Sequence, residues 1–230
     1  TFLALLGLYR RLRPDIVHHL TIKPNLYGGI AARLAGVPGV VYALTGLGQM
    51  FVATHAPLRL VRPLVLSLMR IAFGHGNARV IVQNTRDRQF LVENRVAEMR
   101  DTVLIQGSGV DLDLFHPTPE PAGDPVIILP SRLIWEKGIQ EFVDAARLLR
   151  AAGVAARFVI VGNTHASNPR AVPEEILRGW AAEGIVEWWG RREDMPEVMA
   201  DSHIVCLPSK YGEGVPKVLL EAAAAAPLLP

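Results

Sequence analysis

Strand-like and helix-like segments alternate along almost the whole of this 230-residue chain, and this alternation constrains its fold more than any other feature. Short apolar runs such as residues 126–129 are followed by longer segments with apolar residues three or four apart, as at Ile139, Phe142 and Val143. The second spacing is that of one buried helix face. Regular alternation of this kind predicts an α/β protein with parallel sheets covered by helices.

The positions of the elements follow from these periods together with Gly and Pro at their ends. Thr85 is the expected N-cap of the helix that follows the third strand. The predicted strands are 15–19, 40–44, 78–83, 102–105, 126–130, 157–161, 186–189 and 204–207. The predicted helices are 2–12, 25–34, 58–73, 85–93, 138–151, 174–183, 195–200 and 215–226.

A Pro-rich stretch without periodicity, residues 113–123, interrupts the alternation and is interpreted as an interdomain linker. It predicts two Rossmann-like domains, 1–117 and 118–230. In such folds ligands bind at the carboxyl edge of the parallel sheet.

The composition excludes several classes of protein. The net charge of +2 gives no reason to expect a nucleic-acid partner. No apolar run approaches the roughly 20 residues that a membrane span needs. The single cysteine, Cys206, lies in an apolar strand and is expected to be a buried core thiol. One cysteine cannot form a disulfide within the chain, which fits a reducing compartment.

Two loops carry the residues with the clearest chemistry. Arg132 and Lys137 follow the strand 126–130, whereas Glu213 and Glu221 lie near the start of the last predicted helix. Arginine offers a planar fork suited to phosphate oxygens, and lysine offers a compact point charge. On spacing alone, Arg132 and Lys137 are equally well explained as solvated surface residues. Taken singly, Glu213 is better explained as an acidic residue favoured near a helix N-terminus, and Glu221 as a carboxylate on a helix surface.

Taken together and in order, these motifs resemble the retaining nucleotide-sugar glycosyltransferases of family 4, which have the glycosyltransferase-B fold. The shared features are Arg-x4-Lys at Arg132, Pro-Ser before an acidic Gly-rich loop, and Glu-x7-Glu from Glu213. The resemblance implies that Arg132 and Lys137 bind the departing diphosphate. It also gives Glu213 the donor sugar and Glu221 the ribose.

The same resemblance implies a metal-independent enzyme without a cofactor, whose co-substrate is a nucleotide sugar, most simply a uridine diphosphate (UDP) sugar. Asp111-Leu112-Asp113 is not expected to bind a metal ion, because Gly109-Val110-Asp111 lies just before the linker, where the resemblance implies a crossing between domains. The further residues expected at the donor are Ser131, Gly162, Gly190, Arg191, Gly214, Val215 and Pro216.

The first domain is expected to hold the acceptor, with His18, Lys23, Thr45 and Gly46 on that side. Thr-Gly-Leu-Gly at 45–48 replaces the His-Gly of many family members. It resembles the subgroup that builds surface polysaccharides on a polyprenyl-diphosphate carrier, which implies a cytoplasmic protein at the inner face of the plasma membrane.

On helix 58–73, Arg59, Arg62 and Arg70 share one arc of the helix circumference, and leucines occupy much of the rest of it. This pattern is compatible with peripheral docking on anionic lipid. A core helix with a solvated basic stripe explains it as well.

Two alternatives for function remain open: a sugar-nucleotide epimerase of the same fold, and a non-catalytic fragment or pseudoenzyme. The second is motivated by the resemblance itself. By comparison with the family, the first domain lacks its opening strand and Gly-rich loop, and the second lacks its last strands.

Overall fold

The computed structural model describes residues 1–47, 56–210 and 213–226, and the side chains of residues 56–61 are not described. The described residues divide into two compact units. Residues 1–108 and 213–215 make up the first unit, and residues 109–210 and 216–226 make up the second. The sequence-based domain boundary between residues 117 and 118 stays a prediction.

The first unit is built around a parallel sheet with the order β1-β2-β3-β4. Its strands are β1 (Ile16–Leu20), β2 (Gly39–Leu44), β3 (Ala78–Val82) and β4 (Thr102–Leu104). Its helices are α1 (Phe2–Leu12), α2 (Ile22–Ala35), α3 (Ala56–Phe73) and α4 (Thr85–Glu93), with a 3₁₀ turn at Met99–Asp101.

The core of the first unit lies against one face of its sheet. Alternate residues of β2 and β3, among them Tyr42, Leu44 and Val80, are buried in a cluster with Met69 of α3 and Leu91 of α4. Each connection steps to the next strand in the same direction. Right-handed crossovers in one direction place their helices on a single side of a sheet, which accounts for this one-sided core.

The second unit has a sheet in the order β7-β6-β5-β8, again with all pairs parallel. Its strands are β5 (Val126–Pro130), β6 (Arg157–Val161), β7 (Glu187–Gly190) and β8 (Ile204–Val205). Its helices are α5 (Ile139–Ala151), α6 (Glu174–Ala182), α7 (Met195–Ala200) and α8 (Lys217–Ala225), with a 3₁₀ turn at Trp135–Lys137.

The strand order of the second unit reverses at β5, and the helices consequently cover both faces of the sheet. Ile160 faces a cluster with Phe142 of α5 and Leu177 of α6, whereas Val159 faces a second cluster with Val198 of α7. The connections after β5 and β8 therefore lead to helices on opposite faces of the sheet, α5 on one face and α8 on the other. Such a switch point opens a crevice at the carboxyl edge, where ligands bind in open α/β sheets.

The predicted elements are all present, and their ends differ by a few residues. Helix α2 begins at Ile22 rather than residue 25, because Pro24 fits in a first helical turn, where its missing N–H costs nothing. The N-cap of α4 is Asn84 and not Thr85, since the Asn84 side chain accepts a hydrogen bond from the Asp87 amide at 2.7 Å. Helix α8 begins at Lys217, two residues after the expected start.

The expectation that Cys206 is a fully buried thiol was wrong. Strand β8 ends at Val205, directly before Cys206. The Cys206 side chain is only half-buried against the core cluster of α5 and α6. Burial nevertheless raises the pKa of its thiol.

The predicted linker is irregular in the structure. The described stretch from residue 105 to 125 contains no helix or strand. Within it, the Asp111 carboxylate accepts a hydrogen bond from the Asp113 amide at 3.0 Å and so closes a local turn.

Candidate functional site

A cavity of about 360 Å³ opens at the carboxyl ends of β5 and β6 in the second unit. Five of the predicted donor-site residues line it: Ser131, Arg132, Gly162, Arg191 and Glu221. Residues that the sequence analysis did not assign complete its walls: Pro130, Val161, Asn163, His165, Arg192, Met195 and Val218.

The floor of this cavity depends on Gly162, which directly follows β6. Its φ of 144° favours glycine, and a β-carbon there would lie under 3.0 Å from the carbonyl oxygen of Ser131. The Gly162 carbonyl accepts a hydrogen bond from the indole Nε1 of Trp188 at 2.9 Å, and its amide donates to Gly190 at 2.7 Å. The loops after β5, β6 and β7 are therefore packed backbone to backbone.

Asn163 extends this connection and was missed by the sequence analysis. Its side-chain Oδ1 accepts a hydrogen bond from the Arg191 amide at 2.8 Å, and its carbonyl accepts one from Leu133 at 3.3 Å. One residue thus links the loop after β7 to the loop after β5. The available signal was its position, because Asn163 follows the glycine at a strand end.

The charges lining the cavity favour an anionic ligand. Arg132, Arg191 and Arg192 contribute guanidinium groups, and Glu221 contributes a carboxylate. The Glu221 side chain is only 14% exposed and forms an ion pair with Lys217 at 3.2 Å. Arg192 is paired with Asp194, and this hydrogen bond lowers the pKa of the Asp194 carboxyl.

Lys137 lies beside the cavity-lining loop but not among the cavity-lining residues. It ends the 3₁₀ turn before α5, and Gly138 then adopts a φ of 77°. A β-carbon on Gly138 would lie under 3.0 Å from the carbonyl oxygen of Pro208. The basic loop of the sequence motif and the Pro-Ser segment of the acidic motif are therefore in direct contact.

Lys210 reinforces this contact through its backbone and its side chain. Its amide donates to the carbonyl of Glu136 at 2.8 Å, and its ammonium group pairs with the Glu141 carboxylate of α5. The hydrogen bond from Lys210 lowers the pKa of Glu141.

The acidic loop itself is grouped with the first unit. Within that unit, the Val215 amide donates to Gln83 Oε1 at 3.2 Å. A β-carbon on Gly214 would lie 2.6 Å from the carbonyl oxygen of Thr45, so glycine permits a close approach of two backbones. Glu213 is half-buried in the same segment, and Gly190 and Pro216 are half-buried outside the cavity lining.

The predicted acceptor-side residues lie in or directly after elements of the first unit, and His18 is in the middle of β1 rather than at its end. His18 is exposed on β1, Lys23 is exposed in the first turn of α2, and Thr45 is exposed directly after β2. Gly46 follows with a φ of 133°. Gly48 of the same motif and the Arg59 side chain lie outside the described residues.

His19, the neighbour of His18, is buried on the opposite side of β1. Its Nε2 is 2.8 Å from the Tyr9 hydroxyl of α1, and its ring lies between those of Tyr9 and Tyr42. A β-carbon on Gly28 of α2 would lie under 3.0 Å from this ring. Burial lowers the pKa of His19, with a smaller contribution from His18.

Trp188 and Trp189 are neighbours on β7, and they pack as partly buried side chains against the two different core clusters of the second unit. A guanidinium group lies near each indole ring. The Cζ of Arg178 is 5.9 Å from the ring centre of Trp188, and the Cζ of Arg192 is 5.7 Å from that of Trp189.

Comparison with known proteins agrees with the resemblance stated above. Residues 124–227 match the family described as glycosyl transferases group 1, and residues 1–84 match the family described as glycosyl transferase 4-like. Both matches are to families of glycosyltransferases, and the fold of the chain is the glycosyltransferase-B fold.

Two curated relatives align over nearly the whole chain. One is the N,N'-diacetylbacillosaminyl-diphospho-undecaprenol alpha-1,3-N-acetylgalactosaminyltransferase of Campylobacter jejuni, 28% identical over 97% of this chain and 60% of that protein. The other is the UDP-Gal:alpha-D-GlcNAc-diphosphoundecaprenol alpha-1,3-galactosyltransferase of Escherichia coli, 28% identical over 95% of this chain and 58% of that protein. The chain therefore spans about 60% of the length of these relatives.

Solved structures match the fold with low sequence identity. HepE from Anabaena, in complex with UDP, has a TM-score of 0.71 and 21% identity over 96% of this chain and 60% of that protein. Sucrose-phosphate synthase from Thermosynechococcus elongatus has a TM-score of 0.72 and 17% identity over 96% of this chain and 56% of that protein.

Proposed function

We propose that the protein carrying this chain is a retaining hexosyltransferase that moves a sugar from a UDP-sugar to a saccharide on a polyprenyl-diphosphate carrier, in the synthesis of a cell-surface polysaccharide. The observation that carries the proposal is the basic cavity at the switch point of the second sheet. Arg132 and Glu221 both line this cavity. A diphosphate suits the guanidinium groups, and a ribose suits the shielded carboxylate.

Catalysis of this transfer depends mainly on electrostatic stabilisation of the leaving diphosphate. Breaking the bond between the anomeric carbon and the diphosphate develops negative charge on phosphate oxygen, and positive groups held nearby stabilise that charge. Arg132 and Lys137 supply them. By the family resemblance, Glu213 accepts hydrogen bonds from the sugar hydroxyls, and the backbone of Gly214 and Val215 lies near the sugar and diphosphate.

Retention of configuration follows when the acceptor hydroxyl attacks from the face that the diphosphate leaves. The departing phosphate oxygen then takes the acceptor proton, and no enzyme nucleophile or metal ion is required. Ser131, Gly162, Gly190, Arg191 and Pro216 shape the donor site in this scheme. His18, Lys23, Thr45 and Gly46 face the acceptor.

The nature of the acceptor is supported by two observations. The relatives from Campylobacter jejuni and Escherichia coli are named for acceptors on diphospho-undecaprenol. The Thr-Gly-Leu-Gly motif at 45–48 resembles enzymes of the same kind. The UDP in the HepE structure supports a uridine nucleotide as donor.

A carrier-linked acceptor places the reaction at the inner face of the plasma membrane, and α3 is the proposed contact. No helix among the described residues is long and apolar enough to cross a membrane. On the solvent side of α3, Leu64 is 61% exposed and Ile71 is 50% exposed, next to the exposed Arg70. Apolar side chains beside a cation suit the surface of an anionic bilayer.

Two measurements test the proposal. Titration calorimetry with UDP tests the donor cavity, and binding that Arg132→Ala weakens about tenfold or more is the expected result. Product analysis with a panel of UDP-sugars and an undecaprenyl-diphosphate saccharide tests the transfer. Sugar conversion without acceptor would instead identify an epimerase, and UDP binding without turnover would identify a non-catalytic protein.

A further inference from the structure

Glu136 is an acidic residue inside the basic turn (residues 132–137), and no step of the proposed reaction uses it. It lies between Trp135 and Lys137 in the 3₁₀ turn, and its side chain is only 19% exposed. A carboxylate next to a cation that binds phosphate weakens the attraction of that site for an anion. The partial burial of Glu136 at this position therefore indicates a role other than contact with the ligand.

The side chain of Glu136 contacts the loop that follows β6. Its Oε1 atom lies 3.6 Å from the Nη1 atom of Arg170. Its Oε2 atom is buried without a hydrogen-bond partner among the described residues. A partly buried ion pair is screened less by the solvent than a pair on the open surface. The carboxylate therefore ties the basic turn to position 170.

The backbone beside this ion pair connects the same two segments. The Trp135 amide donates to the Arg170 carbonyl at 3.1 Å, and the Val172 amide donates to the Leu133 carbonyl at 2.9 Å. The two segments thus run side by side over a short antiparallel stretch. An isolated pair of short strands is only marginally stable, so the side-chain pair strengthens a connection that is weak on its own.

A third segment meets the basic turn at the same residue. The Glu136 carbonyl accepts a hydrogen bond from the Lys210 amide at 2.8 Å, and the Ser209 hydroxyl donates to the same oxygen at 3.5 Å. Ser209 and Lys210 follow β8, so the loops after β5, β6 and β8 converge on Glu136. All three loops belong to the second unit.

We infer that Glu136 is a positioning residue, which holds the basic turn against the loop after β6 and so places Arg132 and Lys137 for the diphosphate. Lys137 is the next residue along the chain, and the Arg132 carbonyl accepts a hydrogen bond from the Ile134 amide at 2.9 Å. A displacement at position 136 would therefore move both cations. This inference rests on the proposed function for its consequence in binding and transfer, whereas the contacts of Glu136 do not depend on it.

Four variants separate positioning from a simple effect of charge. Glu136→Gln and Arg170→Gln each remove one partner of the ion pair, and a double variant carries both changes. Glu183→Gln is the matched control. It breaks the ion pair of Glu183 with Arg147, at 3.1 Å, in the same unit but outside the cavity.

Calorimetry with UDP gives opposite signs for the two explanations. If Glu136 acted only through its charge, Glu136→Gln would bind UDP more tightly, because a repelling carboxylate is removed. We expect binding to be about 3- to 10-fold weaker instead, because the two cations lose their fixed positions. Glu183→Gln should leave the affinity unchanged. Tighter or unchanged binding of UDP by Glu136→Gln would overturn the inference.

The double variant tests whether Glu136 and Arg170 act through their contact. The effects of two residues that act through one contact are not additive. The double variant should therefore bind UDP about as weakly as the weaker of the two single variants. A loss of affinity equal to the product of the two single losses would assign separate roles to the residues and overturn the inference.

Transfer kinetics distinguish positioning of the cations from a general disturbance of the structure. We expect Glu136→Gln to lower kcat by about tenfold or more, since small misplacements of site groups cost this much. The KM for the acceptor should stay unchanged, because the proposed acceptor-side residues belong to the first unit. An acceptor KM raised as much as kcat is lowered would contradict a positioning role.

Hydrogen exchange gives a readout that is independent of activity. In Glu136→Gln and Arg170→Gln, the Trp135 amide should exchange about threefold faster or more, while the amides of β5 and β6 keep their protection. Unchanged exchange at Trp135 would overturn the inference. If the wild type binds UDP but transfers no sugar, the proposed function fails, and the binding and exchange measurements still decide whether Glu136 holds the turn.

Discussion

The carbonyl oxygen of Pro208 lies directly against the bare α-carbon of Gly138, closer than any side chain at that position would allow. This contact brings together two of the three sequence features that carry the glycosyltransferase resemblance, the Arg-x4-Lys motif, which ends directly before Gly138, and the Pro-Ser segment that contains Pro208. Its geometry is local to the second unit and involves no charged side chain. The conjunction of motifs in the sequence therefore reflects a packing requirement as well as a chemical one.

The first prediction tests this packing. Gly138→Ala should lower the free energy of unfolding by about 1–2 kcal/mol for the left-handed backbone, plus about 1–3 kcal/mol for the displaced loop. Gly153→Ala is the matched control, because its φ is 78° against 77° for Gly138 but nothing lies within 4 Å of its β-carbon position. Equal losses in urea unfolding would show that the contact with Pro208 is not tight.

The second prediction concerns the connection through Asn163. Asn163→Ala removes the acceptor of the Arg191 amide and should weaken UDP binding about 2- to 10-fold, the usual range for one neutral hydrogen bond. Asn168→Ala removes a similar turn contact, to the Arg170 amide, outside the cavity. Calorimetry showing equal effects for the two variants would contradict a specific role of Asn163.

The third prediction concerns the acidic group in a basic cavity. Glu221→Gln should weaken UDP binding by about 1.5–3 kcal/mol, because a charged acceptor for the ribose hydroxyls is lost. Lys217→Gln removes only the exposed partner of the ion pair and should change binding by less than about 1 kcal/mol. Tighter binding of UDP by Glu221→Gln would mean that the carboxylate repels the phosphates and does not hold the ribose.

The fourth prediction is a dependence of stability on pH. The pKa of His19 is lowered in the folded state, so the unfolded chain binds its proton more readily. The stability associated with neutral His19 is complete above the unfolded pKa of about 6.5 and is lost as the pH falls below it. The facing hydroxyls of Tyr9 and Tyr42 have raised pKa values and do not titrate in this range.

The measurement is the unfolding midpoint between pH 7.5 and 5 for wild type and His19→Gln. The wild type should lose stability over this range with a slope of at most about 1.4 kcal/mol per pH unit, and the variant should lose less. His18→Gln, at the exposed neighbouring position, should retain most of the dependence. An unchanged slope in His19→Gln would assign the effect to other groups.

Much of the architecture could be predicted from the sequence, because the spacing of apolar residues along a strand or a helix is a local signal. Element ends were harder to place, since residues such as Pro24 and Asn84 are compatible with more than one position at a helix start. The half-buried state of Cys206 depends on where β8 ends, which apolar character alone does not determine.

The candidate site divides in the same way. Arg132 and Glu221 were found because a family motif carries them, and both line the cavity. Asn163 and Arg192 belong to no such motif. The position of Asn163 after a strand-end glycine was the one hint in the sequence, and the three-dimensional neighbourhood identifies both residues. The contact of Tyr9 with His19 joins a helix to a strand and has no periodic signature in the sequence.

The imidazole of His19 resting on Gly28 ties the evolution of these two positions together. A methyl group added at position 28 has room only after the ring at position 19 has shrunk, so the substitutions must come in that order. Among divergent homologues, a large residue at one position should accompany a small residue at the other. This reciprocal pattern would reflect the close packing of helix α2 against strand β1.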